Sequence, residues 1–291
     1  MPATVRTSRK LLLGREIANM LAKAGVTQLE AARMLETSPA RIASLINGGS
    51  TIGVGDLVLL ATKLGFTDEG YLEALRELRR DNHKRGYWTT GHNRAYAEEL
   101  RLLIDLEKDA DRIRTVRVEV IPALLQCESY VRAQHAEIEE RDGVDREDFI
   151  RARLARQDIL DEREPPTLEF VLSESCLRRV WAPPEIMREQ IEHVIRLSKR
   201  PNILVKVVPF DLPASRRVAI SDTFTLIRVP SPGAAGPLEV AWTEGAGEIR
   251  YLDDKKALAA HEASWTRLSN AALRYDETRK FLSQVAKDFQ T

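Results

Sequence analysis

Cysteine is nearly missing from this chain of 291 residues. The two that occur, Cys127 and Cys176, lie far apart with no CxxC spacing, which excludes a disulfide framework and a cysteine-based structural zinc site and fits a reducing cytoplasm. Histidine is scarce as well. His83, His92, His135, His193 and His261 are scattered, none in an HExxH or CxxC…HxxxH spacing, so no metal site is expected. Long apolar runs are absent: Leu11 to Leu13 is broken at once by Gly14-Arg15-Glu16, and no later run approaches the ~18 residues of a membrane span. Neither a membrane anchor nor a signal peptide is expected. Net charge is missing too, since Lys+Arg and Asp+Glu number 44 each, and no global basic excess announces a nucleic-acid partner. What is present is 43% hydrophobic and 30% charged residues, enough for a real core, in a length about twice the ~150 residues of one domain.

The zero balance hides an asymmetry. Residues 1–85 carry 13 Lys+Arg against 9 Asp+Glu. Within the first 50, Arg6, Arg9, Lys10, Arg15, Lys23, Arg33 and Arg41 face only Glu16, Glu30 and Glu36, a concentration of positive charge that suits a phosphate-facing module and, on charge alone, equally an ordinary solvated basic surface. The same segment reads as short helices between brief turns. Leu13, Ile17, Met20, Leu21 and Ala24 share one helical face, and Gly25 ends it. Thr27, with Glu30 three residues on, opens a second helix in a capping-box pattern. Ser38-Pro39 supplies an N-cap and a first-turn proline for a third, which runs to about Ile46 and is stopped by Asn47-Gly48-Gly49. Asp56 to Leu64 and Asp68 to about Lys84 offer a fourth and a fifth.

The most specific feature is Gln28 to Leu45. A helix-turn-helix needs a small residue where its two helices nearly touch, which Ala32 provides, and apolar residues where the recognition helix packs back, which Ile42 and Leu45 provide. With Thr27-Gln28, Ala31-Ala32, Ser38 and Asn47-Gly48, the stretch resembles the helix-turn-helix domain of the XRE-type (lambda-repressor-like) regulators, a five-helix module covering roughly Arg9 to Arg80. Two positions depart from that family. Glu36 stands where the turn usually has glycine, at a cost of about 1 kcal/mol if its φ is positive, and Ile46 stands where an acidic residue is common. The resemblance implies double-stranded DNA as partner. It places Gln28 near a phosphate at a helix N-terminus, Ser38, Pro39, Ala40, Arg41 and Ser44 on the DNA-facing side, and Asn47 on the backbone beyond the recognition helix. Pro39 and Ala40 offer only apolar contacts such as a thymine methyl, so base hydrogen bonding falls to Arg41 and Ser44. Arg41 can equally clamp a phosphate or remain a plain surface residue.

After Gly86 the texture changes, and residues 86–91 read as a linker between a domain at 1–85 and another at 92–291. Helices are expected over Arg94 to Arg114, Glu128 to Glu140, Arg146 to Asp161, Pro184 to Lys199, Asp254 to Asn270 and Tyr275 to Lys287. Strands are expected at Leu168 to Leu172, Ile203 to Phe210, Thr223 to Val229, Leu238 to Thr243 and Glu248 to Leu252, with Pro230 to Pro237 as a loop. Helices, then strands, then helices suggest a mainly helical α+β chain whose second domain holds a small, mostly antiparallel sheet. Leu106-Glu107-Lys108-Asp109-Ala110, Val120 to Gln126, Arg153 to Gln157, Val171 to Ser175 with Leu177-Arg178-Arg179, and Val207 to Phe210 resemble the uncharacterised C-terminal domain found behind such modules in many actinobacterial regulators. Pro122-Ala123 stands where that family commonly has Pro-Gly. The resemblance implies a small acidic partner protein encoded next to the regulator.

Enzymatic motifs are not found. Ser173 and Ser175 lack a G-x-S-x-G elbow, and Gly233-Ala234-Ala235-Gly236 is followed by no Gly-Lys-Ser/Thr and is not a phosphate cradle. Asp105, Glu107, Asp109 and Asp111 alternate as in a calcium loop, but Ala110 occupies the glycine position, so they read as a solvated helix face. Arg153 and Arg156, one helix turn apart, suit an anion, a partner's carboxylate or a structural salt bridge. No catalytic residue, metal or cofactor is expected. The sequence therefore points to a cytoplasmic, homodimeric, DNA-binding transcription regulator with a regulatory C-terminal domain; the alternative is a non-enzymatic adaptor whose helix-turn-helix contacts protein.

Overall fold

The computed structural model describes residues 6–81, 98–136, 145–245 and 248–289, and the chain forms two compact units. The helical unit gathers the described part of residues 1–91, Glu98–Asp109 and Val229–Leu238. The sheet unit comprises the described residues of Ala110–Arg228 and Glu239–Thr291. The linker expected at 86–91 lies outside the described residues.

The helical unit contains α1 (Ser8–Ala24), α2 (Gln28–Met34), α3 (Pro39–Ile46), α4 (Val54–Lys63), α5 (Glu69–Asp81) and α6 (Glu98–Asp109). The five expected N-terminal helices are present in order. Ile17, Met20, Ala31, Ala32, Ile42, Leu45, Leu57, Leu60 and Leu75 close the core, so the 3.6-residue stripe of α1 faces the others. Helices α1 to α4 end in one way. In each, a residue with positive φ sends its N–H and the next residue's N–H back to carbonyls of the last turn: Gly25 and Val26, Glu36 and Thr37, Gly48 and Gly49, Gly65 and Phe66. Three of these stops are glycine. The fourth, Glu36 at φ 50°, is the only non-glycine residue with positive φ among those described.

The N-terminus of α1 docks on α6. Ser8 N–H donates to Asp105 at 2.7 Å, its hydroxyl donates to Asp109, and Arg9 pairs with Asp109 at 3.2 Å. This corrects the expected solvated face, for Asp105 and Glu107 are buried and Asp111 lies beyond the helix. A helix N-terminus presents unpaired N–H groups and positive partial charge, which a carboxylate satisfies. Burial still leaves the Asp105 carboxyl above its usual range.

In the sheet unit the strands are β1 (Arg112–Arg117), β2 (Thr167–Ser173), β3 (Ile203–Val208), β4 (Phe224–Val229), β5 (Leu238–Gly245) and β6 (Glu248–Leu252), in the order β3-β2-β1-β4-β5-β6. β1, β2 and β3 are parallel, with Val116 beside Val171 and Leu172 beside Val207. β4 runs antiparallel to β1, and β6 to β5. The expected small, mostly antiparallel sheet is thus corrected to a six-stranded mixed one. The cause is β1. Its first half, Arg112-Ile113-Arg114, falls in the helix expected over Arg94 to Arg114, yet that helix stops at Asp109. The strand carries its arginines on partners: Arg112 on Glu169 at 2.7 Å, Arg114 on Glu262 and over the Trp265 ring, and Arg117 over the Trp242 ring at 5.2 Å. With β1 in place, the helices before β2 and β3 become crossovers between parallel strands.

Those helices are α7 (Glu128–Gln134) and α8 (Arg146–Ala155), then α9 (Glu174–Arg178) and α10 (Pro184–Leu197); α11 (Lys255–Ala271) and α12 (Tyr275–Asp288) complete the unit. Trp265 and Leu268 of α11 pack with Val116, Val171 and Phe224 of the sheet. The outer edge of β3 is covered, because Leu273 N–H donates to the Val207 carbonyl and Val207 N–H to the Thr278 hydroxyl. Pro122 precedes a single 3-10 turn at Ala123–Leu125 with Leu124 and Leu125 buried, so the family's glycine is not needed there. Arg153 donates to the buried Gln126 at 2.9 Å.

Candidate nucleic-acid interface

The interface is built on α2, the turn after it and α3. Thr27 accepts from the Glu30 N–H, while the Glu30 carboxylate accepts from the Thr27 N–H and hydroxyl, each at 2.8 Å. These bonds hold the Glu30 carboxyl below the usual carboxylate range. Ala31 and Ala32 bury the inner side of α2, and Ile42 and Leu45 bury that of α3, at 0% and 3% exposure. The small Ala32 is therefore where close packing requires it. Behind α3, Gly14 of α1 faces the carbonyls of Leu45 and Ile46; a Cβ there would fall within 2.7 Å of the Leu45 oxygen and nearer still to that of Ile46.

With the inner faces closed, the outer faces carry the expected set. Gln28, Ser38, Pro39, Ala40, Arg41 and Asn47 are exposed, and Ser44 is half-buried. Gln28 is the first residue of α2, and Pro39 and Ala40 open α3. Ser38 is engaged as the α3 N-cap, its hydroxyl accepting from Arg41 N–H at 3.2 Å. The Arg41 guanidinium donates to the Thr51 carbonyl at 3.3 Å in an exposed position. Such a bond to a neutral acceptor in water is worth little, so the guanidinium is available to a stronger one. Asn47 is the C-cap of α3.

Sequence reading missed the support behind this surface. Glu16 is fully buried in α1, with its carboxylate accepting from the Tyr71 hydroxyl at 2.9 Å, Ala234 N–H at 3.1 Å and Ala235 N–H at 2.8 Å. Burial and the Glu16 carboxylate push the Tyr71 phenol up, which keeps it a donor. A glutamate adjoining the apolar stripe of α1 was the available signal; Ala234 and Ala235, more than 200 residues away, left none.

A helix-turn-helix family model matches residues 17–72, which supports a DNA-binding transcription regulator of the XRE-type. A second model, described as a domain of unknown function (DUF5753), matches residues 100–284, and the chain belongs to that family. No curated protein and no solved structure matches the chain. Among the described residues no helix is long and apolar enough to cross a membrane.

Proposed function

We propose that the chain is a sequence-specific regulator that lays α3 in the major groove of double-stranded DNA, with residues 1–85 on DNA and 92–291 as a regulatory and dimerisation part. The observation that carries this reading is the α2–α3 geometry. Its inner face is closed by Ala32, Ile42 and Leu45, and its outer face leaves Pro39, Ala40 and Arg41 exposed on one short, capped helix. A reading head with one long polar side chain is sparse, and pairing two half-sites about one DNA turn apart in a homodimer supplies the missing affinity. The reaction chemistry expected of the chain is none.

For the sheet unit the partner we propose is a small acidic protein. The groove between α10 and α12, about 580 Å³, supports it: Lys199, Arg279, Lys280 and Lys287 line it against the single carboxylate of Asp276. None of these four cations makes an ion pair among the described residues. The DNA reading is tested by selecting duplexes from a randomised library and measuring Arg41→Ala on the best of them. A loss of ~1–3 kcal/mol confined to sites with one particular base identifies base readout, and a smaller, sequence-independent loss identifies a phosphate contact. Unchanged binding for Arg41→Ala and Gln28→Ala together removes the docking arrangement.

A further inference from the structure

The Gly233-Ala234-Ala235-Gly236 turn cradles an anion after all, and the anion is the chain's own Glu16. Beyond the three hydrogen bonds already given, the Ser231 hydroxyl approaches the same carboxylate at 3.4 Å, and Ser231 also accepts from Gly233 N–H. Arg15, the preceding residue of α1, donates to the Ala235 and Pro237 carbonyls at 3.2 and 3.0 Å. Two adjacent side chains of one helix therefore take both the N–H and the C=O groups of the segment 229–238. A Cβ at 233 would stand 2.9 Å from Glu16 Cγ and nearer still to its carboxylate, so alanine there has to push the Glu16 side chain out of its place. Among the described residues no cation is bonded to Glu16, and its carboxylate is met by oriented N–H and O–H dipoles, an arrangement that neither a neutral amide nor a displaced backbone reproduces.

The place of this clasp gives it a consequence. The segment leaves β4 and enters β5, so it is covalently continuous with two strands of the sheet, although it packs as part of the helical unit. Gly14, next to Arg15 and Glu16, rests on the carbonyl end of α3. One turn of α1 thus holds the β4–β5 segment on one side and the recognition helix on the other. We propose that segment 229–238 is a strap through which the state of the C-terminal part of the chain sets the position of α3, with Glu16 as its buckle. This rests on the DNA-binding reading for its consequence and on the clasp geometry for its mechanism.

The test uses the full chain as wild type, Glu16→Gln and Gly233→Ala, with circular dichroism to confirm folding. Amide hydrogen exchange is followed at Ala234 and Ala235 and at Asn47, Gly48 and Gly49, whose N–H groups close α3. Affinity is measured on a duplex selected by the wild-type chain from a randomised library. The strap requires that faster exchange at 234 and 235 be accompanied by faster exchange at 47–49 and by at least a fivefold change in affinity. Loosening confined to 234 and 235, or affinity within twofold of wild type, overturns it, as does unchanged exchange at 234 and 235 in Gly233→Ala. If Glu16→Gln does not fold, Gly233→Ala, which leaves the helices' own residues intact, decides alone. If the wild type selects no duplex, the DNA reading fails by itself, and the exchange at 47–49 still decides whether the strap reaches α3.

Discussion

Glu16 and Asp105 of the helical unit are buried and accept from backbone N–H groups, as Glu174 of the sheet unit does from Phe210 N–H, whereas Glu169 with Arg112 and Glu147 with Arg132 in the sheet unit are set against arginines nearer water. The difference is one of tolerance. A buried carboxylate bound by backbone donors has one acceptable geometry, and anything that moves either side leaves polar groups stranded at a cost of about 1–3 kcal/mol each. A surface pair has water as its alternative and is worth ~0.2–1 kcal/mol. The surroundings of Glu16 and Asp105 are therefore where small changes of shape propagate, and the Arg112–Glu169 and Arg132–Glu147 pairs are where charge can be altered with little consequence for the fold.

The largest effect that would sharpen this contrast is Gly14→Ala. The added methyl has no void to enter, since it meets the main-chain carbonyls of Leu45 and Ile46 rather than a side chain that can turn aside. Overpacking of this kind costs ~1–3 kcal/mol or more, and backbone contacts place it at the upper end. Urea unfolding of the full chain is expected to show that loss, with α3 displaced. A midpoint equal to that of the wild type would mean that α1 and α3 are not rigidly opposed, and the contrast would fail at its strongest point.

Glu36→Gly tests the same unit in the opposite direction. Three of the four helix stops of one pattern carry glycine, and Glu36 holds the fourth at φ 50°. Removing its side chain relieves left-handed strain of about 1 kcal/mol, against which glycine's greater freedom in the unfolded chain takes back a part. The melting temperature should rise. A fall would show that the Glu36 side chain contributes more than its backbone conformation costs.

How far these features were legible depended on how local their causes are. The α2–α3 pair was readable because every determinant lies between Thr27 and Gly48: the Thr27–Glu30 box, the Ser38-Pro39 start, the small Ala32 and the Gly48 stop. Even the departure at Glu36 was visible, and its positive φ was anticipated as a condition. β1 was not readable, because three arginines in six residues mimic a helix surface unless Glu169, Glu262 and the rings of Trp242 and Trp265 are known to receive them. These partners lie more than 50 residues away, and missing them turned a mixed sheet with parallel crossovers into an expected antiparallel one. Glu16 failed for a related reason. Charge in a helix reads as solvated by default, and only the fold brings Gly233, Ala234 and Ala235 to it. The outward position of Arg41, by contrast, needed only the helix period, since burying Ile42 and Leu45 obliges it to face solvent.

The smallest expected effect is Arg112→Gln. Its guanidinium pairs with Glu169 on the neighbouring strand at 2.7 Å, and its side chain is 45% exposed against 17% for the glutamate. If β1 needed this pair to be a strand, the substitution would unpick the centre of the sheet. The pairing of Ile113, Thr115 and Val116 with β2 and β4 argues otherwise, because these three are buried and hold the register on both sides. Glutamine keeps a donor for Glu169 and loses only the ionic part, so the change in unfolding free energy should stay below about 1 kcal/mol and shrink further as salt is added. A larger, salt-independent loss would show that Glu169 is left stranded in a site drier than its exposure indicates, and would move this pair to the intolerant side of the comparison, beside Glu16.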